Sequence, residues 1–525
     1  MLLLDKRIFF CSFVLLFFFD IYSASYSSCN LNIPSGNHFL TSDISSSSSC
    51  FRFVQNNSYL NCNGFRILGD GGLVDIGVNF NGFSNITVSN CKIENFGAVN
   101  ILLSNTNAYL INSTLTKSNN LVSIGNCNLN GINSIYFENV TGYNNKYIYF
   151  VNDTIKINGW TNISSLVLCN AGDSVIENLF LKGNNSATAI SVFQTNNLTI
   201  RNVQLNNFSV GINLNSVYNS SINNNEFNNN SNSGIYLDVV YDSTLDNNLF
   251  INSNGIQVYN TYDSFILNSD FFDNYWSLYF YFSYNNQIQN IQITSGDTGF
   301  GIDRSYNNIF SNIIISNLSN YGFYFSDTIE NNIFSDITIF NSSYGVYIDY
   351  EIINNSFSDF TLTQNYVGFY VNDKLINSTI LNFEVYNNTN GLYIRGWNGY
   401  ESYGNVIWNS NFYDNSNTNL NFSSYIFNNT FYNNYFGDIG KVFFSEDGPV
   451  GQNFFDFAGI GNKYSSSGSG IYCFDSPTDL NCDNFPIWNY VISIVSNESS
   501  LSSFFPYLGF ISSILIFLIL FWFFL

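Results

Sequence analysis

Acidic and basic side chains recur at similar intervals in the second half of the chain. The segment GIDRSY places Asp303 directly before Arg304, and later stretches place Asp327, Asp349 and the Asp373–Lys374 pair at comparable positions. A basic residue beside carboxylates that bind calcium is what a lyase requires, so Asp303 and Arg304 are candidate catalytic residues. The alternative is a row of solvated charges with a weak surface ion pair. The sequence favours this alternative, and we predict no catalytic set.

Tyrosines form a second regular series, in which each member is followed by Asn or Asp. The members are Tyr218, Tyr241, Tyr262, Tyr284 and Tyr306, which lie 23, 21, 22 and 22 residues apart. Five stacked and exposed phenol rings would form a ligand-binding strip for sugar rings, which pack on aromatic groups. In the competing interpretation the rings pack at a corner and shield a turn. The series therefore predicts either a glycan contact or a structural aromatic column.

The sequence gives little support for a metal site. Asp475, Asp479 and Asp483 are candidate calcium ligands because calcium prefers oxygen donors, although their irregular spacing also fits a plain turn. Copper is disfavoured, since the chain has one histidine, His38, and one methionine, Met1. No C-x-x-C pair supports zinc. We predict no resident cofactor, with calcium as the open alternative.

A repeat of about 22 residues must position all of these side chains. The phrase NNIFSDITIF, which begins at Asn331, resembles NNIFSNIIIS from Asn307 and NNSFSDFTLT from Asn354. Each copy has Asn or Asp between two apolar positions, and this column comprises Asn178, Asn202, Asn224, Asn247, Asn268, Asn290, Asn312, Asp336, Asp359, Asn382, Asn409 and Asn428. A glycine column runs in phase with it and opens short alternating strands such as GIYL, GFYF and GVYI. The body of the chain is therefore predicted to be all-β.

Such a short unit cannot bury its apolar face alone, so it must stack on its neighbours. Wound as a coil, each turn lies ~4.8 Å above the last, and equivalent side chains lie over one another. We therefore expect one interior stack of Ile222, Leu245 and Ile266, and another of Phe227, Phe250 and Phe271. Asparagine at a bend can pass amide hydrogen bonds from turn to turn. The predicted fold is a right-handed parallel β-helix of about 16 turns.

The two ends of the chain carry targeting signals. Residues 1–25 have a basic pair, an apolar run and small residues, which is the pattern of a signal peptide. Residues 504–525 contain no charge and are long enough to cross a bilayer as a helix. Between them the sequence predicts an N-terminal cap at 26–59, the coil at 60–444, a C-terminal cap at 445–488 and a linker at 489–503. The protein is expected to be exported and anchored by its C-terminal helix.

Charge and cysteine content agree with an exported protein. The formal net charge is −22, which repels nucleic acid. Eight of the nine cysteines lie outside the predicted signal peptide, and an even number in an exported chain favours disulfides. Proximity favours a bond between Cys473 and Cys482, while the other pairings stay open.

Three stretches carry a family resemblance. SYLNCNGFRILGDG, the NNIFSDITIF turns and the closing NFFDFAGIGNKYSSSGSGIYCFDSPTDL are similar to the NosD-like periplasmic copper-binding β-helix proteins of archaeal and bacterial surfaces. The resemblance implies a right-handed β-helix and a role in metal delivery. The family usually has Asn-Tyr-Trp-Asp in its closing segment, whereas this chain has Asn453, Phe454, Phe455 and Asp456.

The sequence as a whole predicts a non-catalytic, membrane-anchored cell-surface rod. Its expected role is adhesion, envelope structure or contact with glycans or other surface proteins. The first alternative is a carbohydrate-active lyase or hydrolase of the β-helix type. The second is the metal delivery that the family resemblance implies.

Overall fold

The protein was analysed as a computed structural model that describes most of the chain between residues 23 and 464. It omits 30, 81, 119, 128–134, 397–398, 423–424, 439–440, 445–452 and 458–459, and it adds 472–473 and 482–483. The linker, the predicted anchor and most of the predicted signal peptide and C-terminal cap lie outside the described residues. Within the described residues no helix is long and apolar enough to span a membrane. The regular structure described is β-strand, with one 3-10 turn at Tyr143–Asn145.

The N-terminal part of the coil has three parallel sheets. The first consists of Ser23–Tyr26, Gly36–Leu40, Ser58–Asn61, Ile86–Ser89, Ala108–Ile111 and Ile135–Glu138. The second consists of Ile44–Ser45, Arg66–Leu68, Lys92–Glu94 and Thr114–Thr116. The third consists of Leu31–Ile33, Phe51–Phe53, Ile76–Asn79, Val99–Ser104 and Val122–Asn126.

The C-terminal part of the coil is one 34-stranded sheet that winds around three faces. Five long strands continue around corners and belong to more than one face, namely Asp270–Tyr281, Gln287–Asp303, Ile309–Leu318, Ile333–Phe340 and Ser356–Thr363. Face 1 also contains Tyr147–Val151, Ile163–Cys169, Thr188–Phe193, Val210–Tyr218, Ser233–Tyr241, Ile256–Tyr262, Tyr321–Phe325, Tyr344–Ile348, Val367–Val371, Asn390–Ile394, Thr418–Phe422 and Val442–Phe444. Face 2 also contains Lys156–Asn158, Val175–Glu177, Thr199–Arg201, Ser221–Asn223, Thr244–Asp246, Phe265–Leu267, Thr379–Leu381, Val406–Trp408 and Thr430–Tyr432. Face 3 also contains Phe180–Lys182, Gln204–Asn206, Glu226–Asn228, Leu249–Ile251, Glu384–Tyr386, Asn411–Tyr413, Tyr435–Phe436 and Lys463–Tyr464.

Three smaller sheets complete the described strands. A five-stranded parallel sheet lies at one corner and consists of Ile329–Glu330, Glu351–Ile353, Lys374–Ile376, Ser402–Tyr403 and Ile426–Phe427. Two antiparallel pairs follow, Asp456–Phe457 with Ile460–Gly461 and Tyr472–Cys473 with Cys482–Asp483. The second pair sets the backbone of Cys473 opposite that of Cys482, the pair for which the sequence predicts a disulfide.

The interior of the coil is built from equivalent residues in successive turns. Ile222, Leu245 and Ile266 pair in register and are buried, as the repeat predicts. The rings of Phe227, Phe250 and Phe271 stack with centroids 4.8 and 4.7 Å apart. The all-β parallel solenoid is therefore confirmed, with about 17 turns rather than the 16 that the sequence predicts. Strands already pair between turns within residues 26–59, which is why the coil has more turns than predicted.

Each corner of a turn uses a residue with left-handed backbone conformation. The predicted Asn/Asp column lies at the corner between faces 2 and 3 from Asn178 to Asn409, and these members have a φ between 47° and 57°. The last predicted member was wrong, because Asn428 lies before face 2, and Asn433 takes the equivalent position and bonds to Asn409. Asn and Asp tolerate this conformation better than other residues with a Cβ. Their exposed side chains also bond from turn to turn, for example Asn312 Nδ2 to Asn290 Oδ1 at 2.7 Å. The column thus sets the bend and the register together.

A second ladder, made of amides and hydroxyls, lies inside the coil at another corner, directly after the left-handed residues that precede face 2. Buried Asn308 donates from Nδ2 to Asn332 Oδ1 at 3.1 Å, and Asn332 repeats the bond to Asn355. Backbone N–H or side-chain N–H bonds continue this ladder through eleven turns, at Ser220, Ser243, Ser264, Asn286, Asn308, Asn332, Asn355, Ser378, Asn405, Asn429 and Asn453. These bonds satisfy polar groups that would be costly to bury unpaired.

Three described disulfides join neighbouring parts of the N-terminal coil. They are Cys29–Cys50, Cys62–Cys91 and Cys127–Cys169. The expectation that the cysteines form disulfides is therefore confirmed for six of them. The third bond also joins the end of the N-terminal coil to a strand of face 1.

Candidate functional site

The acidic residues singled out in the sequence lie on the outer side of face 1. Arg304 donates from Nε to Asp327 Oδ2 at 2.6 Å, and its Nη2 lies 2.6 Å from the same oxygen. It also lies 3.6 Å from Asp303 Oδ1 and donates from Nη1 to the Tyr281 hydroxyl at 3.2 Å. Its guanidinium packs over the rings of Tyr281 and Phe282. Arg304 is thus held in an ion pair, as the structural alternative predicts.

The contacts among Arg304, Asp327 and Asp303 shift the pKa of each of these side chains. The hydrogen bond to Asp327 raises the pKa of the Arg304 guanidinium, so it stays protonated and is unsuited to act as a base. Burial would raise the pKa of Asp327, but hydrogen bonds from Thr328 and Arg304 outweigh it and lower that pKa. Burial and the nearby charge of Asp327 raise the pKa of Asp303, although Arg304 opposes the shift.

An aromatic surface surrounds these charges, and the sequence reasoning missed it. Eleven rings make a continuous chain of contacts along the outside of eight consecutive turns, and we call this set the aromatic face. It consists of Tyr236, Tyr259, Trp276, Tyr279, Tyr281, Tyr321, Tyr324, Tyr344, Tyr347, Tyr370 and Tyr393. From the ~4.8 Å spacing of turns, the aromatic face is roughly 34 Å long.

The signal for the aromatic face was present in the glycine column. In GIYL, GFYF, GVYI, GFYV and GLYI, the tyrosine lies two residues after the glycine. Side chains alternate along a strand, so the buried residue between them turns this tyrosine outward. The register confirms the alignment, because Tyr324, Tyr347, Tyr370 and Tyr393 pair in successive turns. The glycine column predicts turns, and only the tyrosine column beside it indicates the aromatic face.

Trp276 fills the one turn in which a glycine replaces the tyrosine. Gly301 occupies the tyrosine position between Tyr279 and Tyr324. A Cβ on Gly301 would lie 2.3 Å from Trp276 Cζ3, so the indole ring packs against the glycine backbone. The Trp276 ring contacts those of Tyr279 and Tyr324 with interplanar angles of 75° and 64°. The glycine therefore admits a larger ring without interrupting the aromatic face.

Many rings of the aromatic face are inclined to one another. Tyr344 and Tyr347 meet at 82°, Tyr321 and Tyr347 at 53°, and Tyr370 and Tyr393 at 76°. A ring that meets its neighbour by an edge keeps part of its own π surface open to other groups. The aromatic face can therefore present ring faces, as well as hydroxyl groups, to a ligand.

Carboxylates lie among the rings and accept hydrogen bonds from tyrosine hydroxyls. Tyr279 donates to Asp303 Oδ2 at 3.4 Å. Tyr324 and Tyr347 donate to the two oxygens of Asp349 at 3.0 and 3.4 Å. Burial and the bond to Asp349 raise the pKa of Tyr324 to about 12, so the phenol stays protonated at neutral pH.

The tyrosine series singled out in the sequence forms a separate column at the corner after face 1. Adjacent rings from Tyr218 to Tyr306 stack with centroids 4.8 to 5.3 Å apart and interplanar angles of 12° to 24°. Each internal ring is covered on both sides by its neighbours, so it presents an edge and a hydroxyl to solvent. Tyr218, at one end, is 40% exposed. The stack matches the predicted aromatic column, and its suitability for sugar stacking is confined to its ends.

The three aspartates predicted as calcium ligands lie mostly outside the described residues. Asp475 and Asp479 lie outside the described residues, and Asp483 is described only by its backbone strand. Among the described residues no group of three or more His, Cys, Asp or Glu side chains could hold a metal ion. His38 is buried, with Nε2 2.9 Å from the Pro34 carbonyl and Nδ1 3.1 Å from the Tyr26 hydroxyl.

An open groove of about 440 Å³ lies on another side of the coil, across the corner between faces 2 and 3. Its wall is made of amides and carboxylates from successive turns, including Gln204, Glu226 and Asp270. Burial raises the pKa of Asp270. The groove lacks the aromatic rings of face 1.

Comparisons with known proteins agree with the solenoid. Residues 155–275 and 250–384 match the family model described as "Right handed beta helix region". No curated protein matches the sequence. The class that fold and sequence define is a parallel β-helix repeat protein.

Several solved structures match parts of this chain at low sequence identity. The catalytic domain of a GH87 alpha-1,3-glucanase in complex with nigerose is 13% identical, with a TM-score of 0.30, and the match covers 59% of this chain and 62% of that one. The exopolygalacturonase from Thermotoga maritima is 10% identical, with a TM-score of 0.28, and covers 69% and 84%. The receptor binding domain of the Siphovirus 9NA tailspike is 10% identical, with a TM-score of 0.34, and covers 86% and 79%. These values are too low to carry an argument about activity.

Proposed function

We propose that this protein is a non-catalytic surface rod, tethered to a membrane by residues 504–525, that binds glycans along the aromatic face. The observation that supports glycan binding is the continuous set of eleven outward rings interspersed with carboxylates. Carbohydrate sites combine these features, because apolar sugar faces pack on aromatic rings while sugar hydroxyls bond to polar groups.

The geometry of the aromatic face suits an extended glycan better than a small ligand. Rings lie in seven of the eight turns, and Trp276 covers the turn of Gly301, so a chain of sugars aligned with the rod would meet aromatic groups at nearly every step. Weak contacts repeated along one chain add up to useful affinity. The tyrosine stack at the corner offers mostly ring edges, so we assign it a structural role.

The non-catalytic part of the proposal rests on Arg304. In a lyase the base must be unprotonated so that it can accept a proton from the substrate. The Arg304 guanidinium is instead protonated, paired with Asp327 and bonded to Tyr281. We do not extend the proposal to metal delivery, because both ring nitrogens of His38 face oxygen partners inside the N-terminal coil. Export and membrane anchoring rest on the sequence patterns of the two ends.

A glycan array probed with the full chain, purified in detergent, tests the proposal. We expect retention of one or more glycans, and a loss of about tenfold or more in affinity for the double variant Trp276→Ala, Tyr347→Ala. The matched control is Tyr241→Ala, Tyr262→Ala, which removes two aromatic rings from the corner stack and should keep binding.

Three results would contradict the proposal. Unchanged binding in the Trp276 and Tyr347 variant would move the site away from the aromatic face. Retention of no glycan would remove the glycan function. Release of new reducing ends from a bound glycan, abolished by Asp303→Asn, would establish the enzymatic alternative.

A further inference from the structure

Three hydroxyl groups of the aromatic face are arranged as hydrogen-bond acceptors for a ligand. A carboxylate cannot donate, so Tyr279, Tyr324 and Tyr347 must direct their protons to Asp303 and Asp349. Their remaining lone pairs can only accept. At these three hydroxyls a ligand therefore meets acceptors and must supply donors.

The charge of the same surface is also negative. The carboxylates at or beside the face are those of Asp238, Asp297, Asp303, Asp327, Asp349, Glu351 and Asp373, and the basic groups are those of Arg304, Lys374 and Arg395. Arg304 is paired with Asp327, and Lys374 lies 3.5 Å from Glu351. Tyr370 and Asp373 lie within the influence of Arg395. The carboxylates thus exceed the cations, and Asp303 and Asp349 are the two that accept hydrogen bonds from tyrosine hydroxyls of the face.

Asp303 is the less satisfied of these two carboxylates. Its side chain is 15% exposed, and Oδ1 is buried and makes no close hydrogen bond, although Ser326 lies near the carboxylate. The nearest cationic atom is Arg304 Nε at 3.6 Å, and that nitrogen bonds to Asp327. The negative charge therefore lies at the hydroxyl end of the Tyr279 ring, where it adds to the attraction that nearby ring faces exert on cations.

We propose that Asp303 and Asp349 make the aromatic face selective for glycans that carry free, protonated amino groups. An ammonium group has donors and no acceptor, so it matches hydroxyls that can only accept. It is also attracted by open ring faces and by the two carboxylates. An N-acetyl group would replace this cation with a neutral amide whose carbonyl finds no donor on these tyrosines. This inference rests on the proposed glycan binding and names the substrate class.

The test compares two ligands that differ only in acetylation. The full chain, purified in detergent at pH 6, is titrated calorimetrically with a hexamer of β-1,4-linked glucosamine and with its fully N-acetylated form. We expect the amino form to bind about tenfold tighter. The double variant Asp303→Asn, Asp349→Asn should reduce this preference to about twofold, because it keeps the shapes and removes the charges.

The control variant is Asp359→Asn, which removes one exposed carboxylate at the corner before face 3. Asp359 has a left-handed φ of 57° and accepts from Asn382, and Asn occupies the equivalent corner in the next turn. This variant should keep the preference of the wild type. A second measurement needs no variant, because high salt should weaken a preference that is electrostatic.

The outcomes separate this inference from the proposed function. Equal affinity for both hexamers, or tighter binding of the acetylated form, overturns the inference while glycan binding stands. Tight binding of other glycans with no binding of either hexamer also overturns the inference and leaves glycan binding in place. A preference that survives the double variant, or that is insensitive to salt, also overturns it. Hexalysine binding as tight as that of the amino hexamer would show a site for cations in general. Only the failure of every glycan overturns both proposals.

Discussion

The described disulfides lie between Cys29 and Cys169, whereas the long buried ladder lies between Ser220 and Asn453. The two regions use one type of corner in different ways. In the N-terminal coil, left-handed Asn90 is followed by Cys91, which is bonded to Cys62. In the C-terminal coil, left-handed Asn331 is followed by Asn332, which bonds to the turns on both sides. The same inward position thus holds a covalent bond in one region and an amide in the other.

This difference shows what each kind of bond requires. An amide ladder needs equivalent side chains at equal heights in every turn, so it suits the regular repeat of the C-terminal coil. A disulfide needs only two residues at a suitable distance, so it can stabilise turns of unequal length. We infer that the N-terminal coil, in which the sequence repeat is less regular, relies on covalent links because its ladder is incomplete.

Removing one disulfide should produce the largest effect. Cys62→Ser with Cys91→Ser frees the chain between them, and we expect the local unfolding free energy of the N-terminal coil to fall by roughly 3 to 4 kcal/mol. Hydrogen exchange resolved along the chain measures it, because a solenoid can open region by region. Protection around residues 220–450 should stay unchanged. An equal loss in both regions would mean that the coil is one cooperative unit.

Breaking the buried ladder comes next. Asn332→Leu fills the space but leaves the N–H groups of Asn308 and the carbonyl of Ser305 without their partner. We expect a local loss of about 3 kcal/mol around residues 305–355. The control Asn312→Gly removes an exposed ladder side chain and keeps a left-handed corner. It should therefore lower the local unfolding free energy by only a few tenths of a kcal/mol. Equal losses for the two variants would contradict the special role of the buried ladder.

A smaller effect is expected where the regular coil brings backbones together. Gly322 opens a strand, and a Cβ there would lie 2.4 Å from the carbonyl oxygen of Gly345 and 2.8 Å from Ile339 Cγ2. Gly322→Ala should therefore destabilise the neighbouring turns by about 2 kcal/mol through overpacking. Thermal unfolding with local hydrogen exchange measures the change. Unchanged hydrogen exchange would show that the turns can separate slightly without loss of stability.

The smallest expected effect is a pH dependence confined to the N-terminal coil. Burial lowers the pKa of His38, although its backbone bonds oppose the shift. The unfolded chain then binds a proton more readily than the folded coil, so stability is complete above about pH 6.5 and falls as the pH drops below it. His38→Gln should reduce the dependence of the local unfolding free energy on pH, as measured by hydrogen exchange near residues 26–40. A slope of the opposite sign would show that the folded coil binds the proton.

The sequence predicted the coil through columns that are fixed by neighbouring turns. Phe250 recurs as Phe227 and Phe271 because each ring packs on the next, and the Asn/Asp column recurs because each residue makes the same left-handed bend. The boundaries predicted for the caps, signal peptide, linker and anchor stay predictions.

Only part of the candidate site could be predicted from recurring residue types. Asp303, Arg304 and the tyrosine series were found as recurring residue types, but periodicity alone says nothing about ring orientation. The structure showed that Tyr241 and Tyr262 cover each other, while Tyr344 and Tyr347 meet by an edge. It also showed that Trp276, in a strand without the motif, lies over Gly301.

The sequence by itself determined that the chain is a β-solenoid, because a local repeat dictates how each turn packs on a copy of itself. Only the tertiary structure decided which outward residues share a surface and how their rings, hydroxyls and charges face one another. Those relations join residues about 22 positions apart and depend on side-chain torsions, which a one-dimensional pattern does not encode. The aromatic face is therefore a property of the wound coil.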